Sequence, residues 1–256
     1  MTALYPQIVY GPVRSRRLGI SLGVNLLPID AKLCTFDCIY CECGWNNEHK
    51  GSRRFNSRQS VAEALSAALQ SMASNNELPD VITFAGNGEP TMHPEFEGVI
   101  DDTIALRDKF APKAKISVLS NATQLHRADV VRALNRVDNN ILKLDSLKDS
   151  TAQALNKPCC NYSVATVVEQ LKALKGNFIL QTMFLRGECD GKKIDNTTEE
   201  EISLWLQAVA LLSPKSVMVY SIARDTPCKT LQKVEKEELE TIANRVRGLG
   251  VECSVA

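Results

Sequence analysis

No charge of either sign is in excess in this 256-residue chain: Lys+Arg and Asp+Glu both number 30, and His numbers only 3. The balance excludes a whole-molecule attraction to nucleic acid or anionic lipid. Aromatic residues are scarce, at 5%, and do not interleave with the basic ones as a base-stacking surface requires. No apolar run reaches membrane-spanning length. The first residues, MTALYPQIVYGPVRSRR, lack the apolar core of an export signal, so a cytoplasmic location with no membrane partner is expected. Internal repeats, low-complexity tracts and Pro/Ser-rich linkers are missing as well. What is present is ordinary globular material, 44% hydrophobic and 23% charged, enough for one domain with a sizeable core.

The exception is cysteine. Nine Cys, an odd number at uneven spacing, do not read as a disulfide scaffold. Reduced thiols, some of them on metal, are the better starting point.

Six β-rich runs are legible: 18–27, 80–86, 115–121, 140–146, 177–185 and 216–222. Between them lie helical stripes. Val61, Leu65, Leu69 and Met72 share a face opened by a capping box of Ser60 and Glu63. Val164, Val167, Val168, Leu171 and Leu174 form a second stripe. Ile202, Trp205, Leu206 and Val209 follow a capping box of Thr198 and Glu201, and Leu239, Ile242, Val246 and Leu249 close the series. Strand–helix alternation predicts a parallel sheet with outer helices, either doubly wound or an incomplete β/α barrel. In both, ligands gather at the C-terminal ends of the strands.

After the first of these runs comes Cys34-Thr-Phe-Asp-Cys38-Ile-Tyr-Cys41. Three thiolates within eight residues, with no second CxxC knuckle, suit a [4Fe–4S] cluster in which each sulfur takes one iron and the fourth iron stays open. A zinc site completed by Cys43 or His49 is the competing reading.

CxxxCxΦC with an aromatic Φ, here Tyr40, resembles the signature of the radical SAM superfamily. The likeness extends over roughly residues 11 to 250, within one domain spanning 1–256. It implies an α/β fold of the partial (β/α)6 TIM-like barrel type, and an enzyme whose cofactors are a [4Fe–4S] cluster on Cys34, Cys38 and Cys41 and S-adenosyl-L-methionine (SAM). It also implies a low-potential electron donor such as flavodoxin or ferredoxin. In that family the cluster reduces SAM, the S–C5′ bond breaks, and the 5′-deoxyadenosyl radical abstracts hydrogen from a substrate. By resemblance Tyr40 approaches the adenine. Gly86-Asn87-Gly88-Glu89, one residue longer than the family's Gly-Gly-Glu motif, receives the SAM amino group. A tight turn before Pro90 is the plain alternative for this segment.

Ser120 and Asn121 end the third run and are expected to reach ribose hydroxyls or the SAM carboxylate. Lys143 and Asp145 alternate onto one strand face, where buried charges need a partner or a ligand. Within the superfamily, the segments 11–28, 83–96, Ala154–Pro158, Phe184–Gly187 and Tyr220–Pro227 most resemble stand-alone proteins related to the tRNA wybutosine-synthesising enzymes. That likeness gives a mechanism class and no substrate. A glycyl-radical enzyme activase, an RNA-modifying enzyme and a non-catalytic Fe–S sensor are the other functions considered.

Arg16, Arg17, Arg186 and Arg224 fall near strand termini, and guanidinium groups there suit a carboxylate or phosphate. They imply an anionic small-molecule or peptide substrate and not a nucleic-acid footprint. Cys159, Cys160, Cys189 and Cys228 all fall in loops that could converge on an auxiliary cluster, but they lack ligand spacing, and free thiols are the expected outcome.

Overall fold

The computed structural model describes residues 4–15 and 19–256. Chain order is β1 (Val9–Ser15), β2 (Gly19–Val24), α1 (Arg58–Ser74), β3 (Val81–Phe84), α2 (Phe96–Phe110), β4 (Lys115–Ser120), α3 (Ala128–Leu134), β5 (Asn139–Lys143), α4 (Asp149–Asn156) and α5 (Val164–Ala173). There follow β6 (Ile179–Met183), β7 (Leu185–Cys189), β8 (Lys192–Asp195), α6 (Glu199–Leu212), β9 (Ser216–Tyr220), β10 (Leu231–Lys233), α7 (Lys236–Arg247) and β11 (Cys253–Val255).

The main sheet runs β1-β2-β3-β4-β5-β6-β9-β11. β1 pairs antiparallel with β2, and every other pair in this sheet is parallel. The sheet does not close on itself. The six legible runs are its six central parallel strands. Alternation along them sends one set outward to the helices: Leu22, Ile82, Phe84, Ile116, Val118, Leu142, Leu180 and Val217 pack with Leu65, Phe96, Trp205 and Ile242 in one core. The other set, Ser21, Thr83, Leu119, Ile141, Gln181 and Met218, faces the concave side. A second, antiparallel sheet, β10-β7-β8, packs beside the cysteine loop.

Three local expectations need correction. α1 is capped by Ser57, whose hydroxyl accepts from Ser60 N–H at 3.1 Å, so the Ser60/Glu63 box lies a turn inside the helix. Leu249 lies beyond α7 and is exposed. Thr198 does cap α6 by accepting from Glu201 N–H, yet the Glu201 carboxylate does not return to it; it accepts from Ser146 and Thr151 hydroxyls at 2.7 Å each. No helix among the described residues is long and apolar enough to cross a membrane.

Candidate SAM and iron–sulfur site

β2 ends in a buried stretch that delivers Cys34 to the C-terminal rim of the sheet. The loop that follows is stitched down on two sides. Leu33 N–H donates to Asn87 O (2.8 Å), and Glu89 N–H returns to Leu33 O (3.2 Å). On the other side Ile39 N–H donates to Leu155 O (3.0 Å), and Asp37 N–H to Asn156 O (3.0 Å). Gly88 makes the first contact possible. Its φ is +142°, and a Cβ there would lie 1.8 Å from Leu33 O, so only glycine fits. Asn46 braces the loop from within, accepting from Cys34 N–H (3.0 Å) and donating to Cys34 O (3.1 Å).

Lys32 is fully buried behind the loop. Its ammonium donates to Asp37 Oδ1 (3.0 Å) and Gly44 O (2.8 Å) and also meets the Cys41 sulfur. Burial opposes its charge, but the surrounding thiols and Asp37 more than offset this and hold it protonated. The thiols respond unequally. Burial pushes Cys34 and Cys38 up. Cys41 is drawn down to about 6, chiefly by the hydrogen bond from Cys43, whose own thiol is pushed up, and with help from Lys32.

Across from the loop, Lys143 at the end of β5 and Asp145 just beyond it come together. Lys143 Nζ lies 3.2 Å from Asp145 Oδ2 and 3.0 Å from Cys38 Sγ, and it also donates to Asn156 Oδ1. Tyr40 OH donates to Asp145 Oδ2. Burial alone would drive the proton off Lys143, yet Asp145 and Cys38 keep it on. The expected residues Tyr40, Lys143 and Asp145 therefore meet in one buried knot with Cys38. Asn156, from the family-like segment Ala154–Pro158, joins them through Lys143 and Tyr40, a convergence that no local sequence pattern signals.

The glycine-containing turn divides by residue. Gly86 lines a cavity of about 690 Å³, and its carbonyl accepts from the Cys43 thiol (3.3 Å). Asn87 points elsewhere: its side chain holds Tyr5 N–H (2.8 Å), Tyr5 O (2.9 Å) and Pro28 O (2.7 Å). Glu89 is buried, with Oε1 accepting from Thr91 N–H (3.1 Å) and Oε2 from Asn121 N–H (2.7 Å). Burial raises its pKa, and these donors pull it back. Asn87 and Glu89 thus serve as braces, because a motif on a turn fixes the backbone path and not the direction of each side chain. Ser120 is turned into its own loop, accepting from Ala122 N–H (3.1 Å). Asn121 reaches the cysteine loop, donating to Thr35 Oγ1 (2.8 Å) with Cys34 Sγ at 3.6 Å.

The arginines separate. Arg224 stands at the mouth of the cavity but is paired with Glu42 at 2.7 Å. Arg186 lies on β7, away from that cavity, donating to Thr197 Oγ1 (2.6 Å) and Glu238. Arg16 and Arg17 lie outside the described residues. Cys189 and Cys228 are buried side by side in the small-sheet region, whereas Cys159 and Cys160 are exposed, so the four do not assemble. Among the described residues no three Cys, His, Asp or Glu side chains group around one point. A cube spreads its thiolates over separate irons and needs no such grouping.

A UPF0026 protein of Methanocaldococcus jannaschii is 32% identical over 183 residues, which is 70% of this chain and 54% of the relative. The chain therefore spans about half the length of that relative. Two solved structures share the fold: a radical SAM methyltransferase from Sphaerobacter thermophilus (TM-score 0.68, 14% identity, covering 92% of this chain and 65% of that one) and archaeal TYW1 (TM-score 0.56, 12% identity, covering 89% and 71%). The family model of the radical SAM superfamily matches residues 29–196, a stretch that opens just before the cysteine loop and includes β5 and its charged pair. On that match and on the cysteine loop described above, the chain belongs to the radical SAM superfamily, whose enzymes work with a [4Fe–4S] cluster and SAM.

Proposed function

We propose that Cys34, Cys38 and Cys41 hold the cluster and that SAM binds between the cysteine loop and the β5 knot, for hydrogen abstraction from a substrate in the adjoining cavity. The cofactors supply the chemistry: one-electron reduction of SAM yields a 5′-deoxyadenosyl radical. The chain supplies position and seclusion. Lys143, held charged by Asp145, presents a cation suited to a carboxylate. The Gly86 carbonyl, facing the cavity, is an acceptor suited to an ammonium, and Tyr40 lines the same cavity beside Cys41. Asn121 and Lys32 orient the loop through Cys34 and Cys41. Asn87, Gly88 and Glu89 fix the turn that carries Gly86, and Ser120 holds the backbone after Asn121 by accepting from Ala122 N–H.

The observation that carries this reading is the contact of Lys143 with both Cys38 and Asp145. It sets this charged pair directly against one of the three cysteines, near a cavity of about 690 Å³ that Tyr40, Cys41 and Gly86 line.

The test is anaerobic reconstitution followed by iron and sulfide analysis, EPR of the reduced protein with and without SAM, and assay of 5′-deoxyadenosine. A cubane signal perturbed by SAM, with 5′-deoxyadenosine released on reduction, is expected. Cys38→Ala keeps the fold and loses both. Material that binds a single zinc ion and no iron would overturn the assignment.

A further inference from the structure

Gln181 stands out in the wall of the cavity. It is 6% exposed, yet its side-chain amide finds no hydrogen-bond partner among the described residues. Its neighbours on β6 face the other way: Leu180 enters the helix-facing core, and Thr182 bonds Leu144 O and Trp205 Nε1. Gln181 lines the cavity with Met183, and in the sheet it stands between Lys143 of β5 and Met218 of β9. A primary amide carries two donors and two acceptor sites, and in this wall they open onto the cavity, where an occupant can meet them. Polar side chains of the neighbouring strands are bonded to one another. Ser21 and Thr83 hydroxyls bond each other at 2.8 Å, and Lys143 is engaged with Asp145, Cys38 and Asn156.

The charge distribution narrows what could enter. Among the described residues, the parallel strands contribute no charged side chain to the cavity lining; Ser21, Thr83, Ile141, Gln181, Met183 and Met218 make up most of their share. Charged lining residues belong to loops (Glu42, Arg224 and Asp225) or to the edge strand β1 (Arg14). Arg224 is spent on Glu42. Lys143, the cross-strand partner of Gln181, is turned to Asp145 and Cys38 and is not part of the lining, so a carboxylate or phosphate at the depth of Gln181 would lose its water with no described cation of the cavity wall beside it. The expectation of an anionic substrate rested on four arginines: of the two described, Arg186 lies away from the cavity and Arg224 is paired with Glu42, and Arg16 and Arg17 lie outside the described residues.

We propose that Gln181 is the specificity-determining residue of this cavity. The group it receives is an uncharged carboxamide on an apolar stem, paired edge to edge with the Gln181 amide and packed against Met183 and Met218. An amide offers one donor edge and one acceptor edge, the complement of Gln181, whereas a carboxylate offers acceptors alone, so it can meet the Gln181 NH2 group but leaves the Gln181 carbonyl oxygen without a donor. Methionine side chains adapt to varied apolar shapes, so the stem can be aliphatic or aromatic. The inference deepens the radical SAM reading by naming a substrate class for the same cavity, and it rests on that reading for the claim that the occupant is the substrate.

The test uses matched probes: the N-acetyl amides of leucine, methionine and phenylalanine, each against its free acid. Binding is followed by saturation-transfer NMR on the anaerobically reconstituted protein with SAM. At least one amide is expected to bind, and its acid roughly tenfold more weakly or not at all. Gln181→Leu weakens the amide by roughly tenfold, the weight of about one net hydrogen bond, and leaves SAM retention unchanged. Gln181→Asn, with the amide withdrawn by one methylene, falls between. Acids that bind as well as amides, the failure of all three amides, or an unchanged affinity in Gln181→Leu would each overturn the proposal. Loss of SAM in that variant would overturn it too, by assigning Gln181 to the cofactor's pocket. If the wild type takes up no cluster and releases no 5′-deoxyadenosine, the radical SAM site assignment fails, and the amide-against-acid preference is still read from the same spectra.

Discussion

Lys32 shows how a single buried charge shapes the cysteine loop. It has no water to fall back on, so each of its protons needs an acceptor, and Asp37, the Gly44 carbonyl and the Cys41 sulfur provide them. Hydrogen bonds and positive charge near a cluster sulfur favour the reduced cluster and raise its potential. Lys32→Met therefore lowers the midpoint potential of the bound cluster, measured by EPR-monitored redox titration, and slows turnover with a weak reductant more than with a strong one. An unchanged midpoint would confine Lys32 to holding the loop.

His93 makes a second argument at this scale, about pH. Its ring is buried against Phe55. Nε2 lies 2.8 Å from Asn56 O, which can only accept, and Nδ1 accepts from Glu95 N–H at 3.1 Å. The ring is thus held neutral, with its proton on Nε2. Burial lowers its pKa, Arg127 lowers it further, and Glu95 with the Asn56 carbonyl opposes them. A depressed folded pKa means that the unfolded chain binds the extra proton first. Stability is full above about pH 6.5, the unfolded value, and falls as pH drops below it. Urea midpoints taken between pH 7.5 and 5.5 decline in the wild type, and His93→Gln flattens most of that decline. A variant with the same slope would assign the loss to other groups.

At the scale of elements, the sequence showed what burial on two faces writes into it. β3 and β6 are buried at every position, and such strands read as largely apolar runs, broken here only by Thr83, Gln181 and Thr182. β7, β8, β10 and β11 left no comparable pattern because they are short, and polar or exposed side chains interrupt them. Helix α1 was read correctly on its buried face and wrongly at its start: Ser57 and Ser60 are both plausible caps, and only the backbone decides between them. Ser57 has extended backbone angles and holds Ser60 N–H. Ser57→Ala is therefore expected to cost about 1 kcal/mol in chemical denaturation, and Ser60→Ala clearly less. Equal losses would mean that the Ser57–Ser60 hydroxyl contact, and not the cap, carries the stabilisation. The site divides along the same line. Cysteine spacing and the alternation of Lys143 with Asp145 are local facts and were legible. The inward course of Asn87 and Glu89 toward structural partners, and the pairing of Arg224 with Glu42 across a sequence separation of 182, depend on contacts that no local pattern encodes.

For the whole molecule, the open edge of the sheet matters most. A partial barrel leaves one flank of its cavity without a strand neighbour, and here β1 covers β2 on that side. Its hold depends on aromatic packing over a glycine. Tyr10 lies across Gly23, where a Cβ would come within 2.2 Å of the ring, and Tyr5 stacks on Tyr10 at 3.9 Å. Asn87 then ties the Tyr5 backbone to the turn that carries Gly86. The edge strand, the cavity wall and the glycine-containing turn are in this way one connected unit. Gly23→Ala must displace Tyr10, at a cost of about 1–3 kcal/mol for an overpacked contact. Tyr5 loses its stacking partner with it. Hydrogen exchange should quicken across residues 5–14 and around Gly86 together, while α6 and α7 stay protected, and SAM should bind more weakly although no side chain proposed to touch it has changed. Faster exchange confined to residues 5–14, with SAM affinity intact, would show that the edge strand only covers the cavity and does not help to shape it.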